Sequence, residues 1–453
     1  MIDRDRLAEL LEVERSSYRD MHPGSLAASK DGGNLLSGVP MTWMAKWHGG
    51  FPLMLAGARG ATVTDVDGHD YADFCLGDTG AMAGHSPPAT VAAIRRRVEE
   101  EGGLTTMLPS ADGAVVGAEL ASRFGVPQWS FTLTATDANR WAIRIARHLT
   151  GRRRVLVFNH CYHGSVDETV VTLENGRVRA SPGNVGPGVD PAVTTRVAEF
   201  NDLAGVEHEL AAGDVAAVLT EPALTNIGIV LPEPGFHEGL RRLSRAAGSL
   251  LIIDETHTLS AGAGGCTAAW ELEPDIVTVG KAIGGGIPAG AYGLSADVAE
   301  QLLNSPDADL VDVGGVGGTL AGNALSTAAM RATLEAVLTK DAFTRMIALS
   351  ERYEVGTRSI LAATGLPWTI TRLGARAEYR FCPVAPRTGA ESAAAADDEL
   401  DEYLHLYLVN RHVLLTPFHN MALMCPATTD DDVEHLLAGF SGATSELVGA
   451  SSS

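Results

Sequence analysis

An acid and a lysine stand at the ends of two apolar runs, and their types suggest a particular chemistry. Leu250–Ile253 ends in Asp254, and Ile276–Val279 ends in Gly280-Lys281 and a run of glycines. Short unbroken apolar runs read as buried parallel strands. Ligands of open α/β sheets bind beyond the carboxyl ends of the strands, so Asp254 and Lys281 are expected to face one crevice. A lysine amine forms an imine with an aldehyde, and a carboxylate keeps a pyridine nitrogen protonated so that the ring withdraws electrons. That pair is what pyridoxal 5'-phosphate needs. The plainer alternative makes Asp254 a helix cap and Lys281 a solvated charge. Composition weighs against its second half: of 34 basic residues only Lys30, Lys46, Lys281 and Lys340 are lysines. Lys281 also lies in an apolar, glycine-rich setting where a charge is costly without a purpose.

Other polar clusters follow other strand-like runs. Thr134-Ala135-Thr136-Asp137-Ala138 opens a helix over Asn139–Leu149, and a helix start offers backbone N–H groups and a positive dipole end to a phosphate. The same residues are ordinary N-caps, so both roles stay open. Cys161-Tyr162-His163-Gly164 follows Val155–Phe158, where a tyrosine can stack on a flat ring; core or surface is the alternative. Glu221-Pro222 closes Ala216–Thr220, with Asn226 shortly after. A strand-end carboxylate there is either functional or solvated. Gly317-Gly318-Thr319 precedes a helix and suits either a phosphate or a turn.

The elements that must position these groups alternate between short apolar strands and helical stretches from about Asp73 to Asn323, the pattern of a mostly parallel sheet covered on both faces. Predicted strands are Ser130–Thr134, Arg154–Phe158, Ala216–Thr220, Leu250–Ile253, Ile276–Val279 and Ala289–Leu294. A helix is expected over Ile2–His22, then a Gly- and Ser-rich arm over Pro23–Pro40, then a hairpin turning at Asp65-Val66-Asp67-Gly68. Later come helices from Ala324 to about Leu338 and from Ala342 onward, a loop over Ala390–Leu400 leading into a helix through Asn410, and a last helix from Asp430 to about Ser441. Ser451–Ser453 reads as a frayed tail.

A net charge of −22 over 453 residues argues against nucleic acid and anionic membranes as partners. No apolar run is long enough to span a bilayer, and a cytoplasmic location is the default expectation. Five scattered cysteines without a C-x-x-C pair argue against zinc and a disulfide framework, and the DxDG string lacks the remaining ligands of a calcium loop. No metal is expected.

The order TATDA, CYHG, EP, IIDE, GKAIGGGIPAGAYG and GGTLAGNALS resembles the class III aminotransferases. These are pyridoxal-phosphate enzymes of fold type I that include ω-amino-acid and amine transaminases and glutamate-1-semialdehyde aminomutase. The resemblance runs from about Gly60 to Leu325 and more weakly to the end. It implies an α/β fold with a mostly parallel seven-stranded sheet in a large domain over 61–325. An arm over 1–60 and a C-terminal part over 326–453 would supply a smaller α+β domain. It implies that Lys281 is the Schiff-base lysine and then the base that moves a proton, that Asp254 pairs with the pyridine nitrogen, and that Tyr162 stacks on the ring with His163 beside it. Thr134, Ala135 and Thr136 would hold the phosphate, and Thr319 would complete that cup from the neighbouring subunit of a homodimer. Glu221 and Asn226 match positions near the cofactor's 3'-oxygen side, and Thr256 stands where an apolar β-branched residue usually lies against the ring, with His257 next.

Departures bear on the substrate. Relatives often carry an arginine in the segment matching Val39–Met44, which here reads VPMTWM, and a later one near Pro417–Met421, which reads PFHNM. Arg372, Arg376, Arg380, Arg387 and Arg411 are possible substitutes. Trp43, Met44 and Trp47 either line a roomy apolar pocket or pack the small domain, and Asp78 and Met82 are expected to line the same pocket. The reaction expected is ping-pong transfer of an amino group from an amine or amino acid to a keto acid, ketone or aldehyde. A glutamate-1-semialdehyde-type 2,1-aminomutase is the alternative, and a non-catalytic cofactor-binding homologue a remote one.

Overall fold

The computed structural model describes residues 2–305 and 318–449. Gly317 and the expected tail Ser451–Ser453 lie outside the described residues. The chain divides into two compact units, Met1–Ser86 with Thr344–Ala385 and Ala395–Ser453, and Pro87–Phe343 with Pro386–Ala394. These limits lie later in the chain than 60/61 and 325/326. The strand Asp70–Asp73 pairs with Val413–Leu414, which draws the first hairpin to the chain's end. Helix Ala324–Ala336 packs on helices Pro88–Arg95 and Ala111–Phe124 and so stays with the larger unit.

The larger unit is built on seven strands: β1 (Gln128–Thr132), β2 (Arg154–Phe158), β3 (Thr195–Ala198), β4 (Val215–Thr220), β5 (Leu250–Asp254), β6 (Ile276–Val279) and β7 (Gly290–Leu294). Their spatial order is β1-β7-β6-β5-β4-β2-β3. Every neighbouring pair from β6 to β3 is parallel, whereas β7 runs antiparallel to both β6 and β1. The mostly parallel seven-stranded sheet therefore stands as expected. Strands β4, β6 and β7 are buried along their whole length, as the apolar runs require when helices cover both faces.

The seventh strand, β3, is absent from the sequence reading. It has four residues, lies at the sheet edge and carries Arg196, which pairs with Asp214 at 2.8 Å and Glu209 at 3.0 Å. A charged edge strand shows no apolar run. The hairpin Val171–Glu174 with Arg177–Ala180 was equally unseen, although Asn175-Gly176, with φ of 51° and 73°, is its turn.

Helix α1 (Ala135–Thr150) starts where β1 ends, capped by the Thr134 hydroxyl, which accepts from the Asp137 N–H at 3.2 Å. It buries Ala138, Trp141, Ala142 and Ile145 against the sheet. Two glycines let other strand ends approach it. A Cβ on Gly280 would stand 3.0 Å from the Ala135 nitrogen, and one on Gly290 would stand 2.6 Å from the Thr134 carbonyl.

The other unit holds helices Arg4–Met21, Asp398–Val409 and Asp430–Val448, the sheet Leu55–Arg59, Thr62–Asp65, Asp70–Asp73 and Val413–Leu414, and a second antiparallel sheet of Thr369–Leu373, Arg376–Arg380 and Met421–Leu423. The turn at Asp65–Gly68 forms as expected. Part of the supposed arm is a helix, Pro23–Ser29, with proline at its first position. The supposed loop over Ala390–Leu400 holds most of the helix Gly389–Ala394, which belongs to the larger unit. The last helix passes Ser441 because Gly439 and Gly442 are contact points: a Cβ on them would meet Leu408 at 2.8 Å and the Tyr407 hydroxyl at 2.5 Å. Among the described residues no helix is long and apolar enough to cross a membrane.

Candidate active site

Asp254 ends β5 and Lys281 follows β6 by two residues, on adjacent parallel strands registered Ile252 to Ile276 and Asp254 to Thr278. The Asp254 carboxylate is buried. Its Oδ2 accepts from Asn139 Nδ2 at 2.8 Å and lies 2.9 Å from His163 Nδ1, and its Oδ1 accepts from the Thr256 N–H at 3.0 Å. Asn139 is itself oriented by the Thr278 hydroxyl, which donates to its Oδ1 at 2.6 Å. Burial alone would raise the Asp254 pKa, but His163, Thr256 and Asn139 outweigh it and hold it at about 2. His163 moves the opposite way. Burial disfavours its charged form, yet Cys161 and Asp254 keep its pKa well above the ordinary value. The two shifts run in opposite directions, as expected of a coupled acid and base that favour each other's charged forms.

Lys281 is half-buried and sits at φ 50°, the left-handed region, which costs a non-glycine residue about 1–3 kcal/mol unless its surroundings fix it. Gly280 before it fits against Ala135, the first residue of α1. The Lys281 Nζ lies 2.8 Å from His257 Nε2.

The start of α1 presents Ala135 and Thr136, whose N–H groups have no carbonyl one turn earlier by helix geometry. The Thr136 hydroxyl accepts from the Ser165 N–H at 3.2 Å. Gly164 has φ 79°, and a Cβ there would stand 2.1 Å from the Thr136 Oγ1, so only glycine brings this loop against the helix start. Tyr162 is 46% exposed beyond the end of β2. Glu221 is buried after β4 and accepts from the Thr225 hydroxyl. Thr256 is buried, and Asn226 is exposed, with its Nδ2 3.5 Å from the His160 carbonyl. Thr319 is exposed in the turn before helix Ala324–Ala336.

All of these groups belong to the larger unit. Sequence reasoning missed Asn139, one turn beyond Thr136 on the same helix, and His257 as the neighbour of Lys281. It also missed Glu255, fully buried, which accepts from the hydroxyls of Thr258 and Thr267 at 2.5 and 2.6 Å and anchors the loop that carries His257. The helical spacing Thr136 to Asn139 was the available signal for the first; the other two depend on how the loop folds back.

The proposed substrate residues lie in the other unit. Trp43 and Phe418 meet edge to face at 5.7 Å, both 38% exposed, with Met44 37% exposed beside them in sequence and Lys46 Nζ 6.0 Å from the Phe418 ring centre. Trp47 is half-buried and lines a small cavity with Tyr18, His48, His405 and Pro417, which is a packing role. Met82 has no exposed surface and is a core side chain, so its expected place in a pocket lining is not met. Asp78 is half-buried at φ 50°. Three of the five arginines considered as carboxylate grips are paired with other carboxylates. Arg372 pairs with Glu354 at 2.8 Å, Arg411 with Glu14 at 3.1 Å and Arg387 with Glu233, while Arg376 and Arg380 are buried in their sheet.

The profile of the family described as aminotransferase class-III matches residues 43–375. The chain belongs to this family. It is a pyridoxal-phosphate enzyme of fold type I. Its fold superposes on the glutamate-1-semialdehyde-aminomutase of Pseudomonas aeruginosa PAO1 with a TM-score of 0.94 and 49% identity, covering 98% of this chain and 99% of that one. A lysine-to-alanine variant of that protein is known in complex with PMP. The glutamate-1-semialdehyde 2,1-aminomutase of Anaeromyxobacter dehalogenans (strain 2CP-1 / ATCC BAA-258) is 31% identical over 398 residues, 87% of this chain and 90% of its own length. A β-phenylalanine aminotransferase from Variovorax paradoxus is similar with a TM-score of 0.85 and 26% identity, covering 96% and 97% of the two chains.

The donor set fits the cofactor. A carboxylate held ionised by buried donors, a lysine at the next strand end and a helix start kept close by Gly280 and Gly290 lie within one unit.

Proposed function

We propose that this enzyme is an aminomutase of the glutamate-1-semialdehyde type, moving an amino group between adjacent carbons of one semialdehyde substrate. The observation that carries this reading is the 49% identity, across 98% of the chain, to a protein known as a glutamate-1-semialdehyde-aminomutase. Pyridoxal phosphate, when bound, supplies the electron sink that makes a proton on the substrate carbon next to nitrogen acidic. Lys281 is the attachment point and then the base that carries that proton. Asp254 holds a proton on the ring nitrogen, kept ionised and aimed by His163 and Asn139. Tyr162 packs on the ring face. Thr134, Ala135 and Thr136 receive the phosphate, and Glu221, Asn226 and Thr256 border the ring. The active form is a homodimer in which Thr319 completes the partner's phosphate cup.

The test is mass balance. The loaded enzyme is given glutamate-1-semialdehyde with no keto acid, and the expected outcome is sustained conversion to an isomer without net loss of amino groups. A single half-reaction that then stalls contradicts a mutase and favours a second reading, an aminotransferase acting on an apolar amine or amino acid. That second reading draws support from the aromatic pair Trp43 and Phe418 in a chain where three of the five candidate arginines, Arg372, Arg387 and Arg411, are paired with other carboxylates.

A further inference from the structure

His257 Nε2 and Lys281 Nζ lie 2.8 Å apart, the distance of a hydrogen bond between two groups that are both bases. Two full positive charges at that distance repel, so the contact requires one partner to be neutral and to accept the other's proton. A neutral imidazole accepts through a ring nitrogen that carries no hydrogen, and a lysine amine without its proton is the form that attacks carbonyl carbon.

The contact is built into the fold from both sides. The Thr256 N–H donates to Asp254 Oδ1 at 3.0 Å, fixing the residue before His257. On the other side the buried Glu255 carboxylate gathers the Thr258 hydroxyl at 2.5 Å, the Thr267 hydroxyl at 2.6 Å and the Cys266 N–H at 3.1 Å. A Cβ on Gly265 would stand 2.3 Å from that carboxylate, so glycine is required for the loop to close over it. The His257 backbone is thereby held between two anchored carboxylates. Lys281 is held by its left-handed backbone and by the fit of Gly280 against α1.

We infer that His257 is a positioning residue for Lys281 and takes the proton that the lysine must lose before it captures an aldehyde. The inference rests on Lys281 being the lysine that carries the cofactor. In the step, a proton passes from Lys281 Nζ to His257 Nε2 and the freed lone pair attacks the aldehyde carbon. A C=N bond replaces the C=O bond, and the oxygen leaves as water with the two hydrogens that remained on the lysine nitrogen.

The experiment follows capture of pyridoxal phosphate by apo protein at neutral pH, by absorbance and by borohydride trapping with peptide mass mapping. Comparison is made among the parent, His257→Gln and His257→Ala, the last with and without free imidazole. The expected result is capture slowed about a hundredfold or more in both variants, the low end of what proton transfer by a positioned base contributes, with imidazole restoring the rate in His257→Ala. His257→Gln preserves a polar side chain that accepts no proton at neutral pH, so a merely structural contact predicts parental rates there. Parental capture by His257→Gln, or slow capture by His257→Ala that imidazole leaves unchanged, overturns the inference. If the trapped mass maps to a lysine other than Lys281, the underlying assignment fails instead, and the two failures are separate readings of one experiment.

Discussion

His163 Nδ1 lies 2.9 Å from Asp254 Oδ2, with both side chains buried. The histidine follows β2 and the aspartate ends β5, so two strand ends that are not neighbours in the sheet are joined by a charged contact. A buried charge survives only with a partner, and here each is the other's.

Removing the carboxylate's charge without its shape separates its electronic role from its structural one. Asp254→Asn is expected to slow proton removal from the substrate carbon by about a hundredfold or more, within the range of groups aimed at developing charge. It also takes from His163 its buried carboxylate partner, and breaking a buried pair costs about 3–5 kcal/mol. Single-turnover absorbance and thermal unfolding of the apo protein report the two effects, and an unchanged turnover contradicts the assigned role.

The same pair sets a pH window. Asp254 is depressed from 3.8 to about 2, so its stabilisation is present above 3.8 and lost as pH falls through about 2. His163 is raised above 6.5, so its stabilisation is present below 6.5 and lost as pH rises through its higher folded value. The difference in apo unfolding midpoint between the parent and His163→Gln should be largest between about pH 4 and about pH 6.5 and shrink on both sides. A difference constant with pH denies that the pair is ionic.

Gly290 tests the phosphate cup without removing a polar group. Its added Cβ would stand 2.5 Å from the Thr132 Oγ1 and 2.6 Å from the Thr134 carbonyl, so Gly290→Ala must move the backbone that begins α1. Overpacking of this kind costs about 1–3 kcal/mol, and the cofactor dissociation constant should rise along with it. Equilibrium dialysis against pyridoxal phosphate measures this; unaltered affinity in a destabilised variant removes the α1 start from the site.

How much of this was legible depended on whether a residue's role follows from its strand. Asp254 and Lys281 end apolar runs, and parallel strands bring their carboxyl ends to one side, so residue type and position suffice. His257 stands three residues past the same strand, on a loop whose path is set by Glu255 gathering donors from Thr258, Cys266 and Thr267. No periodicity encodes that. Strand β3 escaped for a related reason, since Arg196 is satisfied by Asp214 and Glu209 instead of by an apolar face. The last helix is expected to end near Ser441, yet it runs on, and Gly439 and Gly442 within it are where Leu408 and Tyr407 press closest.

Thr319 carries the prediction about assembly. Thr319→Ala should raise the cofactor dissociation constant by about tenfold or more, since one hydrogen bond to a charged group is worth about 1.5–3 kcal/mol, while sedimentation shows a dimer for both proteins. A monomeric parent that still holds cofactor at full affinity contradicts the shared cup.

Borohydride reduction of the loaded enzyme followed by peptide mass mapping shows whether Lys281 carries the cofactor. The pyridoxyl mass is expected on the peptide containing Lys281 alone and is expected to be lost in Lys281→Ala. The same mass on Lys30, Lys46 or Lys340, or its persistence in Lys281→Ala, would contradict it.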